Sequence, residues 1–114
     1  MKHEMTLYPE YFNSLVSGHK RIEVRLYDEK RRRININDSI IFYQLPGKSK
    51  SVEAVVKELL IYKTFEELYR AHPFKEFGCE GWSMDEMITG TYEIYSPEQE
   101  KKWGALGIRI EIKN

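Results

Sequence analysis

The chain of 114 residues predicts an α+β fold, mainly β with short helices: one small mixed sheet curled into a barrel, with helices packed outside it. Three observations carry this expectation. The apolar period changes from helical to strand spacing at Gly18. Strand-like runs further along are separated both by turn residues and by helix-start signals. The last stretch, Ala105 to Ile112, alternates apolar and polar side chains as a strand does. The length fits a single domain over residues 1–114, and no linker, repeat or low-complexity tract divides it.

Tyr8, Tyr11, Phe12, Leu15 and Val16 fall on one side of a helix from about Pro9 to Ser17, and read as its core stripe. Pro9 suits a first helical position, and Gly18 suits the left-handed exit. Ile22, Val24 and Leu26 then point one way, with Arg21, Glu23, Arg25 and Tyr27 on the other, which describes a half-buried strand. Asp28 to Arg33 is a polar run, and Asn35 to Asp38 carries turn chemistry. Ser39 to Leu45 reads as a second strand, ended by Pro46-Gly47. Ser51 to Tyr62 is a longer strand, although Val55 to Leu60 alone fits a helical turn as well. Capping boxes at Thr64–Glu67 and Ser83–Glu86 open helices through about His72 and Ile94. Ser96-Pro97 opens a third helical turn that Gly104 ends, and Ala105 to Ile112 is the closing strand.

Eighteen basic residues balance eighteen acidic ones, which excludes a protein coated all over with nucleic-acid-binding charge but leaves room for one local basic site. That site is visible. From His19 to Arg33 there are seven basic residues and three acidic ones. Such a run on a strand and its exit loop fits phosphate or carboxylate recognition, and from charge alone it also reads as a solvated loop partly neutralised by Asp28 and Glu29. The single cysteine, Cys79, excludes an internal disulfide framework and suits a reducing, cytoplasmic setting. Apolar runs are too short for a membrane span, and no secretory signal pattern opens the chain. His19, His72 and Cys79 have no metal-ligand spacing, so neither a metal nor a cofactor is expected.

Lys20, Glu23 and Arg25 share the corner where helix passes into strand. A lysine shielded from water beside arginines has its ammonium form disfavoured, which would suit it to act as a base. A carboxylate two positions from an arginine can fix that arginine for a ligand. The same residues also read as the polar face of an amphipathic strand, with cross-strand ion pairs that each contribute little. Trp82, on a loop beside Glu80, reads either as a base-stacking platform or as a staple for that loop.

The run Ser17-Gly-His-Lys-Arg-Ile-Glu-Val-Arg25, followed by a basic turn and Asn37 to Phe42, resembles the ASCH domain family of the PUA-like superfamily. Gly18, Lys20, Glu23 and Arg25 match the family signature. The likeness covers nearly the whole chain and is closest to small single-domain bacterial and archaeal members. It implies a PUA-like mixed β pseudobarrel of about five or six strands with short covering helices. It also implies that RNA, or a nucleoside or nucleotide, binds in a cleft lined by Lys20, Glu23 and Arg25. The run containing Arg31, Arg32 and Arg33 would then be a phosphate-contacting rim. One branch of the family hydrolyses the acetyl amide of N4-acetylcytidine with a lysine, a threonine and a glutamate. Lys20 matches that lysine, but Glu23 stands where the threonine belongs, and a carboxylate cannot replace a hydroxyl as acyl acceptor without a changed mechanism. The alternative reading is therefore a rewritten amidohydrolase, with Lys20 as base, Glu23 or Glu80 orienting water and Arg25 stabilising the oxyanion.

Overall fold

A computed structural model describes residues 1–113. The elements run β1 (Lys2–Leu7), α1 (Pro9–Val16), β2 (Ile22–Leu26), β3 (Ser39–Gln44), β4 (Ser51–Tyr62), α2 (Phe65–Ala71), α3 (Met84–Tyr92), α4 (Pro97–Trp103) and β5 (Ala105–Ile112). Short 3-10 turns occupy Arg31–Arg33 and Phe74–Phe77. The five strands form one mixed sheet in the order β1-β3-β4-β5-β2, with β1 parallel to β3 and the other pairs antiparallel. This is the mixed α+β half-barrel expected, with five strands.

β1 is an element the pattern did not announce. Only Met5 and Leu7 of its residues are buried, so its alternation is short, and its partner β3 lies more than thirty residues downstream. β5 is an interior strand between β4 and β2 rather than an edge. Its position explains its composition: Ala105, Leu106, Gly107 and Ile108 are all buried, because both faces of the strand are covered. Gly107 leaves room for this packing, since an added Cβ would stand 2.9 Å from Leu68 Cδ1 and 3.2 Å from Ile22 Cγ2 and would force those side chains to shift. The central part of Ser51–Tyr62 is strand throughout, with a register shift between Val56 and Glu58.

The sheet separates two apolar clusters. Met5, Phe12, Leu15, Phe42, Val56 and Ile108 pack in one, under α1. Ile22, Phe65, Leu68, Phe77 and Met87 pack in the other, beneath α2 and α3. Each such side chain withdrawn from water contributes roughly 1.5–3 kcal/mol before the entropy of ordering is counted.

Two details of the expected burial differ. The α1 stripe narrows to Phe12 and Leu15, while Tyr8 and Val16 are exposed and Tyr11 is half-buried. β2 is covered on both sides, not one, because Glu23 is as buried as its apolar neighbours. The helix begun at Ser83 ends at Tyr92, and its capping box is complete.

β1 and β2 are the two outer strands of the curled sheet, and no main-chain ladder joins them among the described residues. The side chain of Arg25 reaches across instead, with Nη2 donating to the Thr6 carbonyl at 2.9 Å. The candidate site lies along this open seam.

Candidate functional site

Lys20 is set by the end of α1. The chain leaves the helix through Gly18 at φ +86°, and the N–H groups of His19 and Lys20 both donate to the Ser14 carbonyl at 3.0 Å. Gly78, also left-handed at φ +79°, brings the 73–82 loop against this corner. A Cβ at Gly78 would lie 2.9 Å from Ser14 Oγ and 3.2 Å from Lys20 Cβ. Lys20 is thereby turned inward and is only 5% exposed.

The ammonium of Lys20 donates to the carbonyls of Ile22 at 3.0 Å and Phe77 at 3.3 Å, and stands 3.2 Å from Glu23 Oε1. Three acceptors match its three donors. The group facing it is a carboxylate and not a guanidinium, so the surroundings differ from the cationic ones expected from sequence. Arg25 turns to the other oxygen of Glu23, with its Nε and Nη2 each 2.6 Å from Oε2. Glu23 is thus held between two cations. Burial by itself would raise its carboxyl, but the charges of Arg25 and Lys20 and their hydrogen bonds overcome that and hold it below the ordinary glutamate range. Burial likewise works against the Arg25 cation, and Glu23 and Tyr95 more than offset it.

These head groups converge on a cavity of about 280 Å³ at the seam. Thr6 and Leu7 of β1 border one side, and Lys20, Glu23 and Arg25 border the other. Aromatic rings supply much of the remaining wall: Tyr8 just before α1, Tyr11 within it, Tyr69 from α2, and Trp82 and Tyr95 flanking α3. Trp82 is 39% exposed at the mouth. Burial raises the phenols of Tyr11, Tyr69 and Tyr95, which keeps them neutral donors at physiological pH. Burial also raises the Cys79 thiol, against a smaller opposing pull from Lys20. Cys79 is therefore an uncharged wall atom.

The structure gathers Lys20, Glu23, Arg25 and Trp82 around this cavity and does not bring in Glu80, which is exposed and absent from its lining. Arg31, Arg32 and Arg33 also lie outside it. Arg31 is tied to Asp28 at 2.7 Å, and Arg32 caps the Tyr27 carbonyl. Tyr69 and Thr6 escaped the sequence reading. Tyr69 sits among the apolar positions of a short helix, and Thr6 belongs to the unannounced strand. The hydroxyl of Tyr69 bonded to Thr91 at 2.6 Å reveals that helix face as a polar-edged wall. Among the described residues no cluster of three or more potential metal ligands occurs. No helix is long and apolar enough to cross a membrane.

A curled mixed sheet with helices over its openings, and a basic corner set into its seam, defines a PUA-like pseudobarrel. The ASCH domain model matches residues 5–114, and the chain belongs to the ASCH domain family. It is 36% identical to hypothetical protein PH0355, whose crystal structure superposes with a TM-score of 0.89 over 99% of this chain and 100% of that one. Protein PF0455 from Pyrococcus furiosus, solved by NMR, is 34% identical with a TM-score of 0.78, covering 98% of this chain and 97% of that one. The crystal structure of ASCH from Zymomonas mobilis shares the fold at 16% identity and a TM-score of 0.55, over 95% of this chain and 65% of that one. No curated protein matched the chain.

Proposed function

We propose that the seam cavity binds the base and sugar of a nucleoside unit, presented by RNA or as a free nucleotide. The observation that carries this is the charge balance inside an aromatic wall. Lys20 and Arg25 flank one carboxylate, so the cluster keeps one surplus positive charge. Lys20 has spent its donors, and Arg25 has spent Nε and Nη2 on Glu23 and Thr6. The remaining guanidinium edge faces Tyr95 and an incoming acceptor such as a base carbonyl. The volume lies just below the usual range for ligand pockets, which limits the occupant to about one nucleoside. Trp82 and the tyrosines offer faces on which a base stacks.

The same geometry favours binding over amide hydrolysis. An ammonium with three acceptors and a carboxylate saturated by two cations leave no ready lone pair to activate water. Nucleosides, nucleotides and a short RNA titrated into isotope-labelled protein should shift the resonances of Lys20, Arg25, Trp82 and Tyr95, and Arg25→Met should weaken binding at least tenfold. Shifts confined to another face, or an unchanged affinity in Arg25→Met, overturn the reading. Lys20-dependent acetate release from N4-acetylcytidine would establish the hydrolase instead.

A further inference from the structure

A second hollow of about 630 Å³ lies past the far end of β2, between the last turn of α4 and the end of β4. Arg32, Lys63, Lys101 and Lys102 line it together with the rings of Tyr27 and Trp103. None of these four cations is within 4 Å of a carboxylate among the described residues, whereas Arg25, Arg31, Arg70 and Arg109 all are. The one carboxylate in the lining, Glu100, is buried and committed. Its Oε2 accepts from the Phe65 N–H at 2.7 Å and its Oε1 from the Tyr92 hydroxyl at 2.6 Å.

Arg32 is the informative residue. It is exposed, yet its guanidinium is fixed by donation to the Tyr27 carbonyl at 2.8 Å and the Trp103 carbonyl at 3.2 Å. It also stacks 4.2 Å above the Tyr27 ring. An arginine held this way needs little further ordering to meet an anion. Gathering four cations without carboxylate partners in one groove is repulsive in the free protein, and a polyanion relieves that repulsion.

The groove and the seam cavity adjoin through one stretch of chain. Arg25 lines the cavity, and Tyr27, two residues further along the same chain, lines the groove. We infer that this groove carries the phosphates of a single-stranded nucleic acid whose neighbouring nucleoside enters the seam cavity, so that the ligand is a strand of several nucleotides. This rests on the nucleoside reading of the cavity.

The test is fluorescence anisotropy of a labelled single-stranded RNA of about twelve nucleotides against the whole chain, repeated over a salt series. A Lys101→Gln, Lys102→Gln double variant should weaken RNA at least fivefold at low salt. The slope of log affinity against log salt should fall by about 1.4, at about 0.7 per phosphate contact on single strands. A free nucleoside should still bind that variant as it binds the original. Unchanged RNA affinity and slope in the double variant overturn the inference. So does equal competition by polyglutamate, which would mark the groove as a surface for an acidic protein. If the lysine variant weakens RNA while Arg25→Met does not, the groove stands and the cavity reading falls.

Discussion

Lys20 and Glu23 face each other at 3.2 Å, three residues apart and both withdrawn from solvent. A buried ion pair of this kind is weak evidence of stability in itself, because desolvating the charges offsets their attraction. Removing one partner is another matter. Glu23→Gln strands two cations in the seam and should destabilise the protein by about 3–5 kcal/mol. Replacing Lys20 by Met in the same protein should recover part of that loss. Urea denaturation of the two single variants and the double variant checks it; additive losses would show that the charges are not coupled.

Trp82 separates binding from packing. It stands half out of the fold at the cavity mouth, so Trp82→Ala should leave the melting temperature nearly unchanged. Its effect on nucleoside binding should be a loss of about 1–3 kcal/mol, the usual cost of removing a stacking ring. Calorimetric titration and thermal unfolding of the variant measure the two quantities. A collapse in melting temperature would identify the ring as a staple for the 73–82 loop.

Gly78→Ala tests how the loop holds the lysine. The added methyl must adopt a left-handed backbone, costing about 1–2 kcal/mol, and it would press on Ser14 and on Lys20 itself. Both stability and ligand affinity should fall. The control is Gly81→Ala, which has the same backbone strain (φ +86°) but open space for its Cβ, and it should lose stability alone. Equal loss of affinity in both variants would contradict the contact argument.

Asp38 governs the response to acid. Its carboxyl accepts from His3 at 2.8 Å and from the Asn35 N–H at 2.9 Å, and the His3 bond, followed by that to Asn35, holds it at about 2 against an ordinary 3.8. A folded-state value below the unfolded one means stability that is present above pH 3.8 and is lost as pH falls through 2. Glu23, also depressed, adds to the loss in the same direction. Asp38→Asn should therefore flatten the stability profile between those limits, measured by denaturation midpoints at stepped pH. An unchanged slope would show that Asp38 does not carry it.

Much of the architecture was legible because it is local. Capping side chains at Thr64, Ser83 and Ser96 mark helix starts through bonds made within four residues. The period change at Gly18 marks the corner that positions Lys20. What remained hidden depends on distant chain. β1 has too few buried residues to declare itself, and its pairing with β3 arises only in the fold. Glu23 read as solvent-facing because nothing within β2 shows that Lys20, held by the 73–82 loop, and Arg25, reaching across to β1, close over its second face. Tyr8 and Tyr11 follow a sound helical stripe, yet α1 lies across the barrel mouth, so Phe12 and Leu15 reach the core while the tyrosines border a hollow.

The lack of a ladder between β1 and β2 has an evolutionary consequence. The aperture's width there is set by the reach of side chains such as Arg25, not by rigid backbone pairing, so it can be retailored by point substitution while the scaffold keeps every strand bond. Descendants of one such barrel are free to diverge in what they admit without relearning how to fold.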